Sequence, residues 1–358
     1  MNRNEDALRI LKEGTVIPAT PLALDDNRNF DEKWQRLLMQ YYLHCNVGGI
    51  ATAVHTTQFD IRKPEINLFE RVLDVVSDEI TKFEKKHNKT IVKIAGVCGT
   101  TPQAVKEAET AKKYGYDAVL LSPGSLNDKS EEYMIERTKA VAAVMPVIGF
   151  YLQTACGGRQ FTYDFWKKYC EIDNVVAIKC ASFNRYTTEE VVRATVMSSR
   201  CDDITLYTGN DDNIVIDLLT KYSFNKDGKE IVKTFDGGLL GHWSVWTEKA
   251  VELFYMLKKE KEKDLISPEL LTIAAKITDI NSAFFDTATG FKGCIAGLHQ
   301  ILKWQGLMKT INCLDPNEGL SAGQLDELKR VIKAYPEWSD DDFINENICD
   351  WKKEVGLI

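Results

Sequence analysis

The chain has 358 residues, 44% hydrophobic and 27% charged, with a formal net charge of −8 and a pI near 5.4. This composition excludes a disordered chain, and the acidic balance argues against a nucleic-acid partner. The length admits one large α/β barrel or two ordinary domains. No window approaches the ~18 uncharged apolar residues of a membrane helix. The opening Met1-Asn2-Arg3-Asn4-Glu5-Asp6 is too polar for a secretory signal. A cytoplasmic protein with no membrane partner is therefore expected. Its nine cysteines are scattered, with no CxxC, His-x-His or HExxH among them, which favours free thiols, no metal site and no cofactor.

In chain order, residues 1–12 read as a short amphipathic helix and 14–21 as a strand closed by prolines. Helical spacing runs over 30–42 behind the cap candidate Asn29. Strand 48–54 precedes a long helix over 64–86. Strand–helix pairs then follow at 91–97 and 102–114, 118–121 and 131–144, and 147–151 and 163–171. Residues 174–182 form a further strand, with a helix from about 187. Strand 204–208 is followed by a helix over 212–221, a polar insertion over 224–233 suggestive of a hairpin, and the glycine-rich strand 234–241. Eight short apolar strands alternating with helices favour a (β/α)8 TIM barrel over a doubly wound sheet, and no GxGxxG follows the first strand. Strands stop after about residue 264. Helices are expected over 268–285, 294–304 and 322–335, with an acidic tail beyond. The expected organisation is a barrel over 1–263 and a C-terminal helical appendage over 264–358.

One stretch carries a specific chemical suggestion. Asn174-Val175-Val176-Ala177-Ile178-Lys179 is an apolar, β-branched run that delivers a lysine to the strand end. At an unperturbed pKa near ~10.4 only roughly one amine in a thousand is neutral at physiological pH, and a drop of ~3 units recovers about 4 kcal/mol of that handicap. Burial pulls the pKa in that direction and makes the amine a nucleophile. The plainer alternative is a lysine that snorkels into solvent. In a barrel all the C-terminal strand ends share one rim. Reading them off gives Thr20, Thr56, Thr57, Cys98, Ser122, Tyr151, Lys179, 209–211 and 238–241.

These residues resemble those of the dihydrodipicolinate synthase / N-acetylneuraminate lyase superfamily of class I aldolases. The likeness spans roughly residues 14–305. It rests on Pro18-Ala19-Thr20-Pro21, Ala95-Gly96-Val97, Ser122-Pro123, Val147-Ile148-Gly149-Phe150-Tyr151, Val176-Ala177-Ile178-Lys179, Gly209-Asn210-Asp211-Asp212, and Gly238-Leu239-Leu240-Gly241-His242-Trp243-Ser244. Tyr151 and Lys179, 28 positions apart, match the family's tyrosine and Schiff-base lysine without a gap. The resemblance implies that Lys179 forms an imine with a 2-oxo acid such as pyruvate and that Tyr151 shuttles protons. It also implies that Thr56 and Thr57 hold the carboxylate, that Gly238 lines the site, and that the protein is a homodimer or homotetramer. Read as ordinary residues, Tyr151 is a core tyrosine and the threonines are turn hydroxyls.

Departures bear on the substrate. The family's Gly-Thr-Thr-Gly-Glu is His55-Thr56-Thr57-Gln58-Phe59 here, and Pro123-Gly124-Ser125-Leu126 stands where the synthase has tyrosines. The synthase's substrate-binding arginine falls at Cys156, with Arg159 three positions on as a substitute or as a solvated loop residue. These losses argue against lysine biosynthesis and leave sialic acid cleavage unsupported. His55 and His242 fall at the rim, either as acid–base groups or as buried structural histidines. Asp211 and Asp212 either orient ligand hydroxyls or cap the next helix. Trp243 and Trp246 either line the pocket or cover the barrel bottom. The expected function is a class I lyase, aldolase or hydro-lyase, acting on a sugar-derived or aromatic 2-oxo acid. The alternative is a catalytically inactive ligand-binding relative. A metal-dependent hydrolase is a poor third, because five histidines without ligand spacing supply no first set of ligands.

Overall fold

The computed structural model describes residues 3–358; Met1 and Asn2 of the expected first helix lie outside them. That helix is α1 (Arg3–Glu13), followed by β1 (Val16–Pro18), α2 (Glu32–His44), β2 (Gly49–Thr52), α3 (Phe69–His87), β3 (Val92–Val97) and α4 (Thr101–Lys113). Next come β4 (Ala118–Leu121), α5 (Glu131–Ala142), β5 (Val147–Leu152), α6 (Tyr163–Cys170), β6 (Val175–Ala181), α7 (Arg185–Met197), β7 (Thr205–Thr208) and α8 (Ile214–Leu219). A hairpin of β8 (Tyr222–Lys226) and β9 (Lys229–Lys233) leads into β10 (Phe235–Leu240) and α9 (Thr247–Lys261). The chain ends in α10 (Glu269–Phe284), α11 (Cys294–Trp304), α12 (Gln324–Ala334) and α13 (Asp341–Glu354).

Eight parallel strands run in the order β1-β10-β7-β6-β5-β4-β3-β2. The ring closes between its first and last members through a parallel bridge from Ala19 to Ala51, and the Thr20 N–H donates to the Ala51 carbonyl at 2.9 Å. The fold is a (β/α)8 TIM barrel with additional C-terminal helices. Its strands are short and apolar because both faces are covered, by the barrel lumen inside and by helices outside. Ile17, Ala51, Ile94, Leu120, Ile148, Ala177 and Leu239 fill the lumen. The alternate residues pack outward under the helices.

Local chemistry explains where the elements differ from expectation. The cap of α2 is Asp31, whose carboxylate accepts the Trp34 N–H at 3.3 Å, rather than Asn29. The helix expected over 64–86 starts only at Phe69, behind two short 3-10 turns at His55–Thr57 and Phe59–Arg62. The polar insertion is a hairpin, turned by Asp227 and Gly228 with φ of 53° and 80°, as a two-residue type I′ turn requires. The acidic tail contains a helix, α13. Trp243 does not cover the barrel bottom: it packs against Phe254 in the outer layer. The bottom is covered by α1, whose Ala7 and Leu11 join the lumen cluster, while the Tyr207 hydroxyl donates to the Leu11 carbonyl at 2.7 Å.

The C-terminal helices are tied to the barrel by a buried carboxylate. Asp340 accepts from the Tyr41 hydroxyl at 2.6 Å, from Gln305 Nε2 at 2.9 Å and from the Glu248 N–H at 3.2 Å. The Tyr41 oxygen in turn accepts the Thr247 N–H at 2.7 Å. Burial pushes the Asp340 carboxyl up to about 6. Tyr41→Phe removes the shared hydroxyl and leaves a buried N–H unpaired. It is expected to destabilise the fold by about 1–3 kcal/mol in urea unfolding.

Candidate active site

Lys179 sits in β6 with its side chain in the lumen, near the rim, 8% exposed. Gly209, just past β7, makes room for its stem: a Cβ there would lie 2.4 Å from Lys179 Cε. Among the described residues, the ammonium makes no hydrogen bond and no ion pair within 4.0 Å. Its nitrogen lies 4.5 Å from the centre of the Phe150 ring. Loss of water around the charged form lowers the amine to about 8, against a weaker opposing pull from Asp211 and Cys156.

The amine opens into a cavity of about 60 Å³. Its polar lining beside Lys179 is Asp211, His55, Thr56 and Gln153. Burial raises the Asp211 carboxyl to about 7, while the Lys179 charge pulls the other way. Its Oδ1 accepts the His242 N–H at 3.1 Å. His55 is held down at about 4 by burial and by Lys179, so its imidazole is neutral near pH 7 and can accept or donate one hydrogen bond. Burial pushes the Cys156 thiol up to about 11, which keeps it unreactive.

Tyr151 is not beside Lys179. The register of β5 on β6 slips by one residue between Val147, which pairs with Val175, and Ile148, which pairs with Ala177. Beyond this bulge Phe150 is the partner of Lys179 and Tyr151 that of Cys180. Side-by-side residues of parallel strands share a face, so Phe150 points inward and Tyr151 points out under α6. There its ring packs 5.2 Å from Trp166 and 5.9 Å from Phe161, and its oxygen accepts the Phe161 N–H at 3.4 Å. A spacing of 28 pairs residues before the bulge; beyond it the spacing is 29.

Of the other sequence candidates, His55 and Thr56 reach the cavity. The Thr56 hydroxyl is engaged, however: it donates to the Ala19 carbonyl at 2.6 Å. Thr57 lies behind it, donating to the Thr20 carbonyl at 2.6 Å, and does not line the cavity. Gly238 serves packing instead, since a Cβ there would meet the Trp243 ring at 2.4 Å. Gly209 and Gly241 are the glycines that face the cavity. Arg159 points away, donating to the Lys129 carbonyl and lying over the Phe161 ring at 5.2 Å. The His242 ring is buried on Phe284 and within 3.3 Å of Asn281 Nδ2. Asp211 is not a helix cap, because α8 is capped at Asn213. Sequence reading missed Phe150, Phe183, Phe285, Phe291 and Cys294, which complete the wall. Alternation along β5 points to Phe150 once the bulge is known; the others come from loops and C-terminal helices, where periodicity carries no signal. No group of three metal-ligating side chains occurs among the described residues, and no helix there is long and apolar enough to cross a membrane.

Comparison with known proteins gives this arrangement a context. The profile of the dihydrodipicolinate synthetase family matches residues 13–221. N-acetylneuraminate lyase 2 of Escherichia coli O6:H1 is 23% identical over 329 residues, spanning 91% of this chain and 95% of that protein. The 4-hydroxy-tetrahydrodipicolinate synthase of Clostridium novyi is 34% identical over a shorter 132 residues, 36% of this chain and 42% of that protein. Dihydrodipicolinate synthase from Oceanobacillus iheyensis superposes with a TM-score of 0.72 at 14% identity, over 94% of this chain and all 100% of that one. N-acetylneuraminate lyase from Fusobacterium nucleatum, complexed with pyruvate, superposes at 0.68 and 17% identity, over 90% and 97% of the two chains. At such identities the structural likeness speaks for the barrel alone.

The fit between Gly209 and the Lys179 stem yields a direct test. Gly209→Ala forces the stem aside and is expected to lower the reactivity of Lys179 toward carbonyl reagents at least about tenfold. The crowding is also expected to lower stability by about 1–3 kcal/mol. Reductive labelling with peptide mapping and a urea titration measure the two effects.

Proposed function

The chain belongs to the dihydrodipicolinate synthetase family, and from that premise we propose that it is a lyase or aldolase that holds a 2-oxo acid as an imine on Lys179. The observation that carries this reading is a buried amine with no hydrogen-bond partner among the described residues, aimed into a cavity at the rim of a closed barrel. With the amine near 8, about a tenth is neutral at pH 7, against less than roughly one in a thousand for a free lysine. The neutral nitrogen attacks the C2 carbonyl, the carbinolamine loses water, and the resulting iminium accepts the electron pair of the carbon–carbon bond that breaks, leaving an enamine. Run backwards, the enamine carbon attacks an aldehyde. Either direction needs a group to move protons. With Phe150 facing the amine, the titratable groups for that task are Asp211 and His55 rather than a phenol.

The same phenylalanine supports a second reading, a ligand-binding relative without turnover. Loss of a phenol beside the lysine removes the proton carrier that the family resemblance implies, while leaving the cavity intact.

Borohydride reduction in the presence of pyruvate, followed by peptide mass mapping, separates the two. A single pyruvate adduct on Lys179, absent from Lys179→Arg, is expected. Because the unprotonated amine is the reactive form, its rate of formation should climb as pH rises through about 8 and level off above it. Tyr151→Phe should leave this rate within about twofold, since the hydroxyl lies outside the cavity, where it accepts the Phe161 N–H. Pyruvate binding without an adduct would instead favour the non-catalytic relative.

A further inference from the structure

We propose that the second substrate of this site, the aldehyde that joins or leaves the 2-oxo acid, has an aromatic or otherwise apolar body. This rests on the imine reading of Lys179. It concerns the other half of the cavity, a mouth of phenylalanines built jointly by the barrel and the C-terminal helices.

Phe150 forms one wall from β5, and Phe285, at the end of α10, forms another. Phe285 reaches in because position 241 is glycine: a Cβ there would sit 2.8 Å from the ring. At the opening, Phe183 from the β6–α7 loop meets Phe291 from the segment before α11 edge to face. Their ring centres are 5.9 Å apart and their planes 68° apart. Leu120, Leu152 and Val54 fill the rest of the apolar lining.

The backbone at the mouth is informative. Phe183 and Phe291 have φ of 52° and 70°, a left-handed conformation that bulky side chains rarely adopt and that glycine accepts freely. Such strain persists only where the surroundings hold it. Here Asn210 Oδ1 accepts the Phe183 N–H at 3.0 Å, and Asp286 accepts the N–H groups of Phe291, on its carbonyl at 3.0 Å, and of Gly293, on Oδ2 at 2.9 Å. Two separate loops thus hold an aromatic ring over one opening where a glycine would be easier to accommodate. Their ring edges and faces offer apolar, quadrupolar contacts.

The polar lining argues against the two other aldehyde classes. A polyhydroxylated aldehyde would bury several hydroxyls against few free partners. Thr56 already donates to Ala19 and one Asp211 oxygen is taken by His242, which leaves the other Asp211 oxygen, His55 and Gln153 as side-chain partners in the lining. An aldehyde with its own carboxylate would face Asp211 with no cation in the lining except Lys179, which the imine occupies. Arg159 is turned away.

The test gives the full-length protein pyruvate with benzaldehyde, glyceraldehyde or succinate semialdehyde and follows pyruvate consumption. Benzaldehyde is expected to have a kcat/KM at least about tenfold above the other two. Phe291→Ala and Phe183→Ala should raise the KM for benzaldehyde far more than that for pyruvate, with Phe291→Leu recovering most of the loss. Calorimetric binding of benzyl alcohol against erythritol needs no imine and reads the mouth alone. A preference for glyceraldehyde or succinate semialdehyde overturns the proposal. So does a Lys179–pyruvate adduct in a protein that neither uses benzaldehyde nor binds benzyl alcohol. If no adduct forms but benzyl alcohol binds over erythritol, the imine reading falls and the apolar preference of the mouth stands.

Discussion

An amine removed from water, with no hydrogen-bond partner among the described residues, is the constraint around which this barrel is arranged. Opposing forces act on the Lys179 nitrogen. Desolvation favours its neutral form. The Phe150 ring face at 4.5 Å and the Asp211 carboxylate favour its charged form. Desolvation outweighs the pull of Asp211 and Cys156 and leaves the amine near 8, within reach of neutrality at physiological pH but still able to become a cation. A full ion pair with Asp211 would have held the charge in place and disabled the nitrogen as a nucleophile. Instead Asp211 is turned toward the His242 amide and keeps its distance. The carboxyl, itself raised to about 7, then shares with the amine a pH range in which either group can give or take a proton.

The scaffold was legible from the sequence for a simple reason. Eight runs such as Ile91–Val92 onward or Ala118-Val119-Leu120-Leu121 are too short for helices and apolar on both faces, as buried parallel strands must be. Lys179 was legible for the same reason, as the one cation ending such a run. What remained hidden was parity. Val175, Val176 and Ala177 are all apolar, so the extra residue that shifts β6 against β5 leaves no mark in hydrophobic pattern, yet it turns Tyr151 outward and Phe150 inward. A gap-free alignment around the lysine therefore selects the wrong neighbour. Arg159 and Gly238 were misplaced for a related reason: residue type and proximity in sequence say nothing about where a loop directs a side chain. The left-handed phenylalanines were beyond sequence reading altogether, because β- and αL-conformations are not distinguished by a bulky residue that ordinarily avoids one of them.

The C-terminal helices do more than cover the barrel. Phe285, Phe291 and Cys294 belong to them and stand in the cavity wall. Of the elements that carry them, α11 is fastened at its far end: Gln305 donates to Asp340, which also accepts from Tyr41 on α2 and from the Glu248 N–H at the start of α9. Helix α13 extends the fastening, with Trp351 lying against Tyr41 at a ring separation of 6.2 Å. One helix of the pocket wall is thus anchored at the end opposite the cavity, by residues outside its lining.

Helix α1 seals the other end of the strands, with Leu11 and Ala7 wedged into the lumen and the Tyr207 hydroxyl fastened to the Leu11 backbone. Among the described residues the ring is thus filled from the end opposite the cavity. Lys179 is therefore approached from one side, past the paired rings of Phe183 and Phe291.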